Sequence, residues 1–188
     1  RGGNSGPGSY EKLAAFKASV VNEAIAEHHI NSAIEFGCGD GNQLTLMNYP
    51  MYTGFDISPD AISSCQRLFP DSSTRTFRLM NAYAGETADL TLSLDVIFHL
   101  VEDEVFHSYM HLLFAASTRL VIIYSSNTEN QARFQSRHVK HREFTVWIKN
   151  HAPNWQQIGF LQNAHPYNGV EGDGSFSDFY FFERIYSA

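Results

Sequence analysis

Cysteine is scarce in this chain of 188 residues: there are two, Cys38 and Cys65, in neither a CxxC pair nor a His-rich ligand motif. Both read as small buried side chains, and a thiolate metal centre and a disulfide framework are set aside. Basic residues are also few, 13 Lys and Arg against 20 Asp and Glu, for a formal net charge of -7. A long polyanion would be repelled, and no basic stripe interleaved with aromatics appears, so nucleic acid is not an expected partner. No apolar run approaches the ~18 residues of a membrane span and nothing reads as a signal peptide, which makes the cytoplasm the expected location, with no membrane partner. Disorder is excluded after the first few residues by 43% hydrophobic and 14% aromatic content.

The most informative stretch is Ser32 to Leu44, SAIEFGCGDGNQL. A short apolar run breaks into Gly37, Gly39 and Gly41, and the pattern that follows predicts a helix start. Glycines are required where the backbone turns sharply and a ligand approaches too closely for a Cβ, while a helix N-terminus offers unpaired N–H groups. A dinucleotide loop of the form G-x-G-x-x-G would need glycine at position 42, where Asn42 stands. The spacing present is acidic-x-G-x-G-x-G, with Glu35 ending the strand.

Tyr52 to Ile57 reads as the next strand, and Asp56 at its end follows Glu35 by 21 residues. An acid there accepts both ribose hydroxyls of an adenosine. Ser58-Pro59 then opens a helix as N-cap and first helical residue, and Pro70 ends it after Ile62, Cys65, Leu68 and Phe69.

Around this centre the chain alternates. Residues 1–9, RGGNSGPGS, form a flexible glycine-rich segment that reads as a linker from a preceding domain, since the chain does not open on Met. It is expected either to lie over the nucleotide or to be disordered. Residues 10–188 are expected to form one domain, beginning with an amphipathic helix to about Glu27. Thr76 to Met80 is a third strand, followed by Asn81 and Ala82; Asp89 to Asp95 is a fourth. A helix then faces Val105, Tyr109, Leu112, Leu113 and Ala116 inward, and Arg119 to Tyr124 is a continuous apolar fifth strand, as expected of one covered on both faces. Ser125 to Arg142 is polar with a basic cluster of Arg133, Arg137, His138, Lys140, His141 and Arg142. Phe144 to His151 is a helix, and Trp155 to Leu161 and Phe176 to Tyr186 are closing strands separated by a Gly- and Asn-rich loop. The expected fold is therefore α/β: a Rossmann-like, doubly wound, mostly parallel seven-stranded sheet with a C-terminal antiparallel hairpin.

With GSY, EFGCGDGNQL, GFDIS, SLDVIFHLVED, VIIYSSN, RHVKHREF and SDFYFFER in place, the chain from about Ser5 to Arg184 resembles class I S-adenosylmethionine-dependent methyltransferases, in particular small bacterial enzymes. The resemblance implies that Gly37, Cys38, Gly39 and Gly41 hold the methionine part of S-adenosyl-L-methionine, with Glu35 near its amino group. It places Asp56 at the ribose, Asn81 and Ala82 at the adenine, and Leu94 and Asp95 at the amino-acid end, with Ile57 also among the cofactor-binding residues. Asn81 stands where this family usually keeps an acid. Relatives of this kind often occur beside glycosyltransferase or polysaccharide genes, a pointer to a sugar or glycan acceptor.

Acceptor chemistry narrows by elimination. The N/D-P-P-Y/F motif of adenine or glutamine N-methylation is replaced by Ser93-Leu94-Asp95-Val96, and the Pro-Cys of cytosine C5 methylation is absent. O-methylation of a small hydroxylated molecule remains, with the product S-adenosyl-L-homocysteine. Because the sulfonium activates its own leaving group, the protein mainly aligns the acceptor; a base adds about 10²–10⁴-fold. The candidate bases are His99, Asp95, His138 and His141, expected to converge with the loop from Gln162 to Ser175 over the donor methyl. Asp173 and Asp178 are read as surface or turn carboxylates, with no metal assigned. Two rivals stand beside this reading: a nicotinamide-dependent oxidoreductase, opposed by Asn42, and a non-catalytic adenosine-binding module of a larger protein.

Overall fold

The computed structural model describes residues 6–131, 136–170 and 173–186. Seven strands form one sheet: β1 (Ser32–Phe36), β2 (Met51–Asp56), β3 (Arg75–Leu79), β4 (Ala88–Leu94), β5 (Ser117–Ser125), β6 (Trp155–Leu161) and β7 (Asp178–Arg184). Their order is β3-β2-β1-β4-β5-β7-β6. Six strands run the same way; β7 lies antiparallel between β5 and β6, which makes the closing pair the expected hairpin.

Among the described residues, four helices cover the faces: α1 (Glu11–Glu27), α2 (Pro59–Leu68), α3 (Asp103–Ala115) and α4 (Phe144–His151). Strand alternation decides which face each residue serves. Leu90, Leu92, Leu94, Leu120, Ile122 and Tyr124 meet Val21, Ala24 and Ile25 of α1 and Ile62 and Cys65 of α2 in one core. Ile34, Phe36, Val121 and Ile123 meet Phe106, Met110 and Leu113 of α3 and Phe144, Trp147 and Ile148 of α4 in the other. Burial on both sides explains the unbroken apolar run of β5. Among the described residues no helix is long and apolar enough to cross a membrane.

Two local expectations are corrected. The glycine loop leads only into a single 3-10 turn, Gln43–Leu46, before β2 begins at Met51. Asn48 and Pro50 follow too closely for another helical turn to form. On α3 the buried stripe is Phe106, Met110, Leu113 and Phe114, while Val105 is 48% exposed. Asp103, Glu104, His107, Ser108 and His111 lie on the exposed side of this helix, and Phe106 packs edge to face on Trp147 of α4 at 6.2 Å.

Pro7–Ser9, within the segment expected to be flexible, form a 3-10 turn; Arg1 to Ser5 lie outside the described residues. Asn42 Nδ2 donates to the Ser9 carbonyl at 2.6 Å and Tyr10 Oη donates to Asp40 at 2.5 Å, so the entry to α1 is fastened across the glycine loop.

Candidate active site

The strand order reverses between β1 and β4, and the carboxyl ends of the strands beside that reversal open into a cavity of about 340 Å³. Open α/β sheets bind ligands at such a switch point, and this volume is in the small-molecule range. Glu35 to Gly39 of the β1 end, Asp56 and Ile57 of the β2 end, and Leu94 to Val96 of the β4 end line it. Ser9, Lys17, Gln43, Met80, His99, Leu100 and Tyr109 complete the wall.

Gly37, Gly39 and Gly41 all have positive φ. At Gly37 (φ +89°) a Cβ would stand 2.5 Å from Val96 Cγ2, so both conformation and space require glycine. Asp56 shapes the same loop: Oδ2 accepts from the Gly39 N–H at 2.9 Å and Oδ1 from the Ser58 N–H at 2.8 Å. Ser58 caps α2 by accepting from the Ala61 N–H, with Pro59 at the start. Cys65 donates to the Gly39 carbonyl at 3.2 Å, and Cys38 is buried beside it, its thiol pushed up by its contact with Cys65 and by burial.

Glu35 is 6% exposed and accepts from Tyr52 Oη at 2.7 Å. Burial pushes its carboxyl up to about 7, against the opposing effects of the Tyr52 bond and the Lys17 charge. Gln43 is equally buried; its Nε2 donates to the Ala14 carbonyl at 2.8 Å, while Oε1 has no hydrogen-bond partner among the described residues. An orphan acceptor in a cavity wall is a vacant place for a ligand N–H.

Asp95 (φ +60°) joins three segments: Lys17 Nζ of α1 donates to Oδ2 at 2.8 Å, Ser177 Oγ donates to Oδ1 at 3.0 Å, and the Asp95 N–H donates to the Tyr124 carbonyl at 2.9 Å. A carboxylate so engaged is an anchor rather than a free base. Lys17 and Gln43 were missed because a lone Lys on an amphipathic helix and a Gln in a turn carry no sequence signal.

The candidate bases separate. His99, in a 3-10 turn after β4, lines the cavity; its Nδ1–H donates to the His138 carbonyl at 3.2 Å, which leaves Nε2 as the acceptor nitrogen. His138 stacks on His99 at 5.6 Å but does not line the cavity. His141 is buried, bonded to Ser126 Oγ at 2.6 Å, and burial lowers its pKa; it secures the segment after β5. Of the basic cluster, Arg133 lies outside the described residues, and Lys140 and Arg142 bind Asp103, whose carboxyl they hold down at about 2.

Asn81 and Ala82 are exposed in a 3-10 turn and Met80 lines the cavity instead; Gly41 lies behind the loop, against Cys65. Described residues of the loop after β6 contact α1, through Phe16–His165 and Lys12–Asp173, and none of those described lines the cavity. Asp178 accepts from the Asn163 N–H at 2.8 Å, and among the described residues no group of three or more His, Cys, Asp or Glu is placed to hold a metal ion.

Residues 34–119 match the family model described as a methyltransferase domain. The fold is that of S-adenosylmethionine-dependent methyltransferases: the methyltransferase domain of bacterial CtHen1-C superposes with a TM-score of 0.72 at 18% identity, over 93% of this chain and 100% of that one. The N-methyltransferase NodS from Bradyrhizobium japonicum WM9, in complex with S-adenosyl-L-homocysteine, gives 0.70 at 14% identity, over 90% and 85%. Magnesium protoporphyrin IX methyltransferase from Synechocystis PCC 6803 with the same product gives 0.65 at 15%, over 90% and 83%. No curated protein sequence matches the chain.

Proposed function

We propose that this protein is an enzyme that transfers a methyl group from S-adenosyl-L-methionine to a hydroxyl of a small acceptor such as a sugar. The observation that carries the reading is the joining of a ligand-shaped glycine loop, the Asp56 carboxylate and the His99 imidazole around one cavity. The residues fit the donor. Gln43 Oε1 and Glu35 offer acceptors for an ammonium group, Asp56 retains lone pairs for ribose hydroxyls, and Ile57, 84% exposed at the mouth, gains an apolar cover from an adenine. Lys17, paired with Asp95 at 2.8 Å, holds that carboxylate in the cavity wall.

When bound, the donor supplies an electrophilic methyl with its own leaving group. The chain's residues do the rest. His99, fixed by the His138 carbonyl, takes the hydroxyl proton at Nε2, and Asp95 holds the β4 end and the start of β7 in register. The named methyltransferases of this fold act on unlike acceptors, so the hydroxylated acceptor rests on the elimination of the nitrogen and cytosine motifs and on His99.

The test is calorimetry with S-adenosyl-L-homocysteine and NAD, followed by a methyl-transfer screen on sugars and nucleotide-sugars. Donor-product binding with turnover of a hydroxylated acceptor supports the reading. Binding with no turnover on any acceptor favours a non-catalytic adenosine-binding module, and tight nicotinamide-dependent binding overturns both.

A further inference from the structure

Phe176 is 44% exposed, yet its ring is held from two sides. Phe98 meets it edge to face at 5.0 Å and 77°, and His141 at 4.7 Å and 90°. Both supports are buried, and His141 is itself bonded to Ser126. The ring is therefore presented to solvent in a fixed orientation.

Its position relates it to the cavity by two routes. The next residue, Ser177, donates to Asp95 in the cavity wall at 3.0 Å. On the other side, Phe98 touches the ring of His99 at 4.6 Å, and His99 also lines the cavity, with the exposed His138 stacked on it at 5.6 Å and 20°. The result is a continuous row of rings, His138, His99, Phe98 and Phe176, which reaches the cavity wall at His99. Phe98, buried, touches both the base candidate and the fixed exposed ring and so links them.

We propose that this row is the acceptor platform and that it selects a small molecule containing a ring with an apolar face, either the C–H face of a pyranose or the π face of an arene. Phe176 is its specificity-determining residue. A preorganised aromatic face binds a flat partner with little ordering cost, and contact with it turns the partner's hydroxyl edge toward His99. An open-chain polyol has no such face and gains nothing from Phe176. The inference rests on the methyltransferase reading, and the experiment separates the two.

Saturation-transfer NMR on the full chain loaded with S-adenosyl-L-homocysteine would use methyl β-D-glucopyranoside, phenol and glycerol as probes. At least one ring probe is expected to bind and glycerol not; the ring that binds identifies the source of the apolar face. Phe176→Ala should weaken that probe about three- to tenfold, the scale of one aromatic contact. Phe176→Tyr should retain it, and calorimetric affinity for S-adenosyl-L-homocysteine should stay at the wild-type value in both. Phe176→Leu keeps bulk against Phe98 and His141 while removing the ring, so it decides the matter if the alanine variant fails to fold. Ring binding unchanged in the Leu variant, or glycerol binding as well as the rings, overturns the platform alone. Failure of the wild type to bind S-adenosyl-L-homocysteine overturns the methyltransferase reading and the platform with it.

Discussion

Lys17 Nζ lies 2.8 Å from Asp95 Oδ2, and the two side chains are unequally covered, 2% exposed for Lys17 and 22% for Asp95. The inequality sets the cost of breaking the pair from either end. Asp95→Asn keeps the shape and tolerates φ +60°, but strands a dry ammonium; about 2–4 kcal/mol of stability should be lost. Lys17→Met leaves a carboxylate that still accepts from Ser177 and is open to water, and should cost about 1 kcal/mol. Urea denaturation of the two variants measures the difference, and equal losses would mean that burial does not govern the pair.

Glu35 yields a pH dependence of definite sign. Its folded carboxyl stands at about 7, mainly through burial, above the unfolded value of about 4.3. Its contribution is complete below pH ~4.3, where both states are protonated, and declines as pH rises to about 7 because only the unfolded state ionises easily. Glu35→Gln should match the wild type at pH 4 and exceed it by up to about 3 kcal/mol at pH 8. If the ionised carboxyl holds the donor ammonium, binding below pH 7 also releases a proton. Calorimetry in buffers of different ionisation enthalpy detects that release.

Gly37 combines positive φ with a Cβ position 2.5 Å from Val96 Cγ2. Gly37→Ala should cost about 2–3 kcal/mol, and adding Val96→Ala should return the steric part and leave about 1 kcal/mol of backbone strain. Denaturation of both single variants and the double closes the cycle. A double variant whose loss equals the sum of the two single losses would place the whole cost of Gly37→Ala in φ.

The strands and α4 were legible because period and punctuation agreed: β-branched or aromatic runs bounded by glycine, proline and polar turns gave β6 and α4 their observed ends. The helix expected after Gly41 was not legible, since LTLM has helical spacing and only Asn48 and Pro50 close behind it limit the turn. The glycine loop and Asp56 were visible as spacing because one strand–loop–strand unit supplies them. Lys17, Gln43, Ser177 and Phe176 were not, because their relation to the cavity depends on contacts between segments far apart in the chain.

The three histidines make the last prediction a comparison. His99 lines the cavity and receives its orientation from a backbone carbonyl, that of His138, so the orienting bond survives any change to the His138 side chain. His99→Gln should therefore lose about 10²–10⁴-fold in turnover with the affinity for S-adenosyl-L-homocysteine retained. His138→Gln removes a ring stacked at 5.6 Å but not the hydrogen bond, and should raise KM more than it lowers kcat. His141→Gln loses a buried contact with Ser126 at 2.6 Å and the edge support of Phe176, so its first effect should be on stability, about 1–2 kcal/mol. Its methyl transfer should then fall through acceptor affinity rather than through the proton step. Steady-state kinetics and denaturation on all three variants separate these outcomes. Full turnover in His99→Gln would remove the imidazole from the proton step and leave alignment of the acceptor as the source of the rate.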